Sequence, residues 1–255
     1  VQKYSCQFGG DQLSSFRGLT YAMNGGLTLA ASGFPFWGVD AGGYSGFADE
    51  ETYLRWTEFA TFSPIMRFHG VTPREPWAYS RYAVSVYKFY AWLRENLLKY
   101  SVHTAEEAHK TGIPMMRPLP MVFPEDKEAV YWEDEYFYGS DLLVAPVHQE
   151  GEKRRIYFPS GSWINLLDFR KMVGGNRIFQ VDVPIDKIPV YIREGACILS
   201  VMNGELQLGQ SMTYEKKNTV LMSRALNETS GKRYADGKEI EYNILGKTGE
   251  DFFML

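Results

Sequence analysis

The feature that most narrows the fold is a recurrence in the first third of the chain, where short apolar runs end in polar residues and amphipathic stretches separate them. Three run ends stand out: Gly9-Gly10-Asp11, Trp37-Gly38-Val39-Asp40 and Met66-Arg67-Phe68-His69. After the first, Phe16, Leu19, Thr20 and Met23 keep three- and four-residue spacing, which predicts a helix over 12–24 with Gly25-Gly26 as its stop. Leu27-Thr28-Leu29-Ala30-Ala31 is apolar and lies between Gly26 and Gly33, so it reads as a buried parallel strand. Asp49 is a good N-cap with Glu50 and Glu51 behind it, and Pro64 should end that helix. Ala83, Val86, Tyr90, Leu93, Leu97 and Tyr100 predict one long helix from about 79 to 111, closed by Gly112 and Pro114. Helix, strand and loop in this rotation make a parallel α/β architecture.

Beyond Ile113 the texture changes to short apolar runs broken by turn residues, as in DLLVAPV, RRIYFPSGSW and KIPVYIREGACIL. This reads as antiparallel β structure, with Ser160-Gly161 and Gly174-Gly175-Asn176 as hairpin turns. Tyr131-Trp132-Glu133-Asp134-Glu135 reads as a charged helix face. The expected class is therefore α/β followed by all-β. The division placed on it is 1–112 for the α/β part, 113–200 for a β-sandwich, and 201–255 for a more polar tail or the start of a further β domain.

Composition excludes several function classes. A net charge of −4 offers no basic surface for nucleic acid, and no run of 18 apolar residues exists to span a membrane as a helix. Cys6 and Cys197 make neither a disulfide framework nor a metal-ligand set, and free thiols fit a reducing compartment. No metal or other cofactor is expected. The opening VQKYSCQFGG lacks an initiator Met and a leader pattern, and reads as the middle of a longer chain. Asn227-Glu228-Thr229 has the form of a glycosylation sequon, a triplet common by chance.

In a parallel α/β barrel the loops at the C-terminal strand ends converge, and the three run ends would bring Asp11, Asp40, Arg67 and His69 together there. Arg67 and His69, two residues apart, point the same way in an extended chain. Phe8, Phe36, Trp37, Tyr44 and Phe68 surround these polar groups. Fixed charges among aromatic faces suit a sugar, whose C–H face packs on rings while its hydroxyls need hydrogen-bond partners. Other roles fit each residue singly: Asp11 as a helix N-cap, Asp40 as a turn residue, Arg67 as the partner of a Glu, and His69 in a core.

QFGGDQLSSFRGLTYAMNGGLTLAASGFPFWGVDAGGY, followed by FSPIMRFHG and REPWAY, resembles the second half of the catalytic barrel of glycoside hydrolase family 31. GIPMMRPLPMVFPED, YGSDLLVAPV and IPVYIREG resemble the β domain that follows it. The resemblance runs from about residue 4 to 200 and implies a partial (β/α)8 barrel, its last strands and helices, with a C-terminal antiparallel β domain. It also implies a retaining α-glycosidase of α-glucosidase or α-xylosidase type, acting on an oligosaccharide or other α-glycoside. By the same resemblance, Asp11 is the general acid/base and Phe8 lines the sugar subsite. Asp40 holds sugar hydroxyls, Tyr44 packs on the ring, Arg67 holds the loop carboxylate, and His69 holds a hydroxyl; Trp37 belongs to the same substrate-binding set. The family's nucleophile motif, W-x-D-x-x-E, lies upstream of the acid/base, and only ten residues precede Asp11. This stretch alone is therefore expected to be inactive. The alternative is a non-catalytic carbohydrate-binding or subunit-like protein that uses the same pocket.

Overall fold

The computed structural model describes residues 6–168, 172–203, 207–211, 218–222, 229–235, 238–244 and 252–254. Asn227 and Glu228 of the sequon lie outside them.

Strands β1 (Gln7–Phe8), β2 (Trp37–Asp40) and β3 (Ile65–Arg67) form a parallel sheet in sequence order, with Phe8 opposite Gly38 and Asp40 opposite Arg67. Helices α1 (Phe16–Ala31) and α2 (Glu50–Thr61) connect them. As read from the sequence, Asp49 caps α2 by accepting from the Thr52 N–H at 2.7 Å.

Helix α1 corrects the reading of its second half. No strand forms over 27–31, because α1 runs through Gly25-Gly26 and ends at Ala31. Its buried positions Leu19, Ala22, Met23, Gly26, Leu27 and Ala30 hold one helical face across the glycines. Gly26 permits packing there: a Cβ would sit 1.9 Å from Cζ2 of the Trp37 indole. The predicted long helix is likewise two, α3 (Arg81–Asn96) and α4 (Leu98–Thr111), broken at Leu97. The Asn96 side chain ties that break to the β region, donating to the Val201 carbonyl and accepting from the Gly209 N–H, both at 2.8 Å. Three- and four-residue steps of buried side chains continue across it, so periodicity could not reveal it.

Next come β4 (Met116–Pro118), β5 (Tyr136–Tyr138), β6 (Leu142–Val144), β7 (Lys153–Phe158), β8 (Ser162–Asn165), β9 (Met172–Gly174), β10 (Arg177–Asp182) and β11 (Val190–Arg193). Six form an antiparallel sheet, β4-β5-β6-β11-β8-β9, while β7 and β10 pair separately. Alternation gives the sheet two buried faces. Tyr136, Tyr138, Leu142, Val144 and Ile192 join the core that also holds the helices, whereas Phe137, Leu143, Trp163 and Tyr191 pack with Ile156 and Phe158 of β7. The α/β and β regions thus share one core.

The two glycine turns are corners, not hairpins. Ser160-Gly161 carries the chain from β7 to β8, and Gly174-Gly175-Asn176 carries it from β9 to β10, in each case between strands that do not pair. The corners touch where the Gly175 N–H donates to the Gly161 carbonyl at 2.6 Å. Finally, β12 (Ile198–Met202), β13 (Asn218–Met222) and β16 (Phe252–Met254) form one antiparallel sheet, and β14 (Thr229–Ala235) pairs with β15 (Lys238–Ile244).

A buried ion pair fastens α2 to the β region. Arg55 meets Glu58 at 3.1 Å and also donates to the carbonyls of Val183, Pro184 and Lys187 at 2.9 to 3.1 Å. The guanidinium closes the loop between β10 and β11 onto the helix.

Candidate functional site

Each of the three parallel strands delivers a polar residue at or just past its C-terminal end. Asp40, the last residue of β2, is fully buried, and Oδ1 accepts from Arg67 Nε at 2.8 Å and Nη2 at 2.6 Å. The Arg67 guanidinium also lies 4.3 Å from the centre of the Phe8 ring, a cation–π contact that joins β1 to β3. The Tyr44 and His69 rings lie 5.6 Å apart, and His69 is exposed. These placements differ from the single-residue roles: Arg67 is paired with Asp40, and His69 stands outside the core.

Asp11 lies in the exposed loop after β1. It does not cap α1; Ser15 does, accepting from the Gly18 N–H at 3.1 Å. Among the described residues its carboxylate has no hydrogen-bond or ion-pair partner, so its acceptor capacity is open to solvent or ligand.

Backbone hydrogen bonds lace the three loops into one rim. The Tyr44 and Ser45 N–H groups donate to the Gln12 carbonyl at 2.9 and 3.0 Å, and the Val71 N–H donates to the Tyr44 carbonyl at 2.9 Å. The loop of Asp11 therefore leans on the loop of Asp40, which leans on the loop that follows His69. Gly43, at φ 74°, makes the first contact possible, since a Cβ there would lie 2.6 Å from the Leu13 carbonyl oxygen.

Arg74 was missed by sequence reasoning. It is buried beneath the rim and donates to the Gly43 carbonyl at 2.8 Å, the Gly46 carbonyl at 2.9 Å and Ser14 Oγ at 2.6 Å, tying all three loops. The Tyr53 hydroxyl donates to the Arg74 carbonyl at 3.1 Å, and burial pushes its pKa above the ordinary phenol value, which keeps that proton in place. Only its position in the REPWAY stretch hinted at a role.

Trp37 is not brought to this rim. It lies three residues before Asp40, on the opposite face of the strand, and is buried against Gly26 and Phe59 in the layer between sheet and helices. The charged helix face read at 131–135 is also corrected. Only Ala129–Tyr131 form a short 3₁₀ turn, Glu135 is fully buried with Oε1 accepting from the Tyr157 N–H, and Asp134 binds His148 at 2.9 Å and Arg154 at 2.8 Å. Strand β5 begins directly after it and draws Glu135 inward. Among the described residues no cluster of three or more His, Cys, Asp or Glu is arranged to hold a metal, and no helix is long and apolar enough to cross a membrane.

Residues 1–104 match the family model described as the glycosyl hydrolases family 31 TIM-barrel domain, and residues 112–198 match the glycosyl hydrolase family 31 C-terminal domain. The chain belongs to glycoside hydrolase family 31. It is 35% identical over 215 residues to an isomaltosyltransferase of Sporosarcina globispora, covering 78% of this chain and 20% of that protein. An α-xylosidase of Emericella nidulans is 33% identical, covering 76% of this chain and 26% of the relative. Among solved structures, the cycloalternan-forming enzyme from Listeria monocytogenes in complex with pentasaccharide substrate superposes with a TM-score of 0.90 at 29% identity, over 95% of this chain and 25% of that one. The chain thus spans about a fifth to a quarter of the length of these relatives. In this family 31 chain, the parallel sheet with its crossovers lies within the part matched to the TIM-barrel domain, and β4 to β11 lie within the part matched to the C-terminal domain.

Proposed function

We propose that this chain supplies the acid/base side of the active site of a retaining α-glycosidase acting on terminal α-linked glucose or a related sugar. In this reading β1 to β3 are consecutive strands of an eight-stranded barrel. Asp11 protonates the departing glycosidic oxygen as a second carboxylate, from a segment outside these 255 residues, attacks the anomeric carbon and forms a glycosyl ester. Asp11 then takes a proton from water as that ester is cleaved. Asp40, held by Arg67, accepts hydrogen bonds from sugar hydroxyls; His69 binds another hydroxyl, and Phe8 and Tyr44 flank the ring.

The observation that supports this reading is the laced rim, in which backbone hydrogen bonds join the loop of the unpartnered Asp11 carboxylate to the loop that follows the buried, cation-held Asp40. Its test is Asp11→Asn in the intact protein. Turnover of α-glycosides with poor leaving groups should fall by about 10² to 10⁴, and that of activated aryl α-glycosides by much less in the glycosylation step. Equal losses on both substrates, or unchanged turnover, overturn the acid assignment, and sugar binding without turnover in the unsubstituted intact protein supports the non-catalytic alternative.

A second reading concerns the acceptor. Relatives named as an isomaltosyltransferase and as a cycloalternan-forming enzyme support transfer of the glycosyl unit to a sugar hydroxyl in place of water. The ratio of transfer product to free sugar as acceptor concentration rises separates the two.

A further inference from the structure

The loop after His69 builds a second feature that the catalytic reading does not use. A cleft of about 420 Å³ opens beside His69, with Phe68, Arg74, Glu75, Trp77 and Tyr87 in its wall. Asp11 is not part of that wall. Trp77 is 75% exposed and, among the described residues, its indole has no ring or cation partner.

A single exposed ring is ordinary on a protein surface and by itself points to no partner. Here it is held still. Trp77 is the middle residue of a 3₁₀ turn, Pro76–Ala78, whose first residue is buried and whose Ala78 N–H donates to the Glu75 carbonyl at 3.0 Å. On one side the turn is pinned by buried Arg74. On the other, Tyr79 stacks on the buried Tyr53 ring, with centroids 4.1 Å apart at 20°. Glu75 is exposed at the same turn, and its carboxylate has no ion-pair or hydrogen-bond partner among the described residues.

We infer that this cleft is a second saccharide subsite, with the Trp77 indole as the platform for a sugar ring and the Glu75 carboxylate as acceptor for its hydroxyls. The chemistry is that of the first subsite, a flat apolar face for C–H groups beside a fixed charged acceptor. The cleft volume falls within the range of small-ligand sites. Because the cleft begins at His69, its occupant is continuous with the unit held by Asp40 and His69. The substrate is then an oligosaccharide with a chain that runs over residues 69–77. This inference rests on the glycosidase reading for the first unit only.

The test compares binding, so it does not depend on turnover. In the intact protein carrying Asp11→Asn, maltotriose, isomaltotriose and glucose are titrated by calorimetry, with and without Trp77→Ala. The expected result is tighter binding of at least one trisaccharide than of glucose. Trp77→Ala should weaken that trisaccharide about tenfold and leave glucose within twofold. Trp77→Phe should recover most of the loss, and Glu75→Gln should cost about threefold. Absence of any trisaccharide preference, an unchanged trisaccharide affinity in Trp77→Ala, or equal weakening of glucose overturns the subsite. Failure of the acid assignment shows separately, as unimpaired turnover by Asp11→Asn.

Discussion

Arg67 grips a single oxygen of Asp40 with two donors, while the other oxygen, Oδ2, is buried without a hydrogen-bond partner among the described residues. The geometry is lopsided for a purely structural ion pair, in which both oxygens would ordinarily be satisfied. It leaves acceptor capacity at the strand end where a sugar hydroxyl would arrive. Removing the cation strands a buried carboxylate, a change that costs about 2 to 5 kcal/mol. Arg67→Met should therefore lower kcat/KM on α-glucosides by a factor on the order of 10² or more. Arg67→Lys, which keeps charge but loses the two-donor grip, should fall between. Steady-state kinetics on the intact protein decide; wild-type kcat/KM in Arg67→Met removes Asp40 from the site.

Gly43 and Gly46 separate backbone strain from loop contact. Both have positive φ, 74° and 87°, but a Cβ at Gly43 meets the Leu13 carbonyl oxygen at 2.6 Å, whereas one at Gly46 meets nothing within 4 Å. Gly46→Ala should cost about 1 to 2 kcal/mol of stability, the left-handed penalty alone, and keep activity. Gly43→Ala adds a collision with backbone and should push the Asp11 loop off the Asp40 loop, with activity falling further than stability. Thermal melts and turnover measured on the same pair separate the effects.

How much of this was legible in the sequence depends on which force set each feature. The three strand ends, the Asp49 cap and the antiparallel texture after residue 113 follow from local chemistry, and the structure has them. The errors came where tertiary contact overrode a local signal. Gly25-Gly26 carried a helix-stop signal, yet Trp37, eleven residues away, needs Gly26 to lack a side chain. Trp37 is an aromatic close to Asp40 in sequence, but its odd separation from Asp40 along the strand sets it on the other face. The corner turns look like hairpin turns because both need glycine; only the pairing of distant strands tells them apart. Arg74 stands on one loop and acts through partners on the other two, an arrangement no spacing rule encodes.

The two glycines of α1 should respond in opposite directions. Gly25 is exposed, and a Cβ there meets nothing within 4 Å, so Gly25→Ala should stabilise by about 0.5 to 1 kcal/mol through lower unfolded-chain entropy and better helix propensity. Gly26→Ala drives a methyl into the Trp37 ring and should destabilise by about 1 to 3 kcal/mol. Denaturant melts of both variants of the intact protein measure this. Stabilisation by Gly26→Ala would contradict the close approach of helix and strand.

Asp134 gives the β region an acid-sensitive fastening. Partial burial works against its charged form, but the hydrogen bond with His148 and the Arg154 guanidinium outweigh burial and hold its pKa below the ordinary carboxylate value. His148 Nδ1 in turn lies 3.2 Å from Thr20 Oγ1 on α1, so the cluster bridges helix and β region. A carboxyl with a depressed folded-state pKa stabilises fully above its unfolded value, about 3.9, and that stability is lost as pH falls toward the folded value. Asp134→Asn should thus lower stability at pH 7. The difference from wild type should shrink as pH falls below about 4, where Asp134 of the unfolded wild-type chain takes up a proton while the folded carboxylate keeps its charge, which lowers wild-type stability. Urea unfolding at pH 7 and pH 3 measures both gaps, and a difference that stays constant between them would show that the carboxylate charge at 134 contributes nothing to the seam.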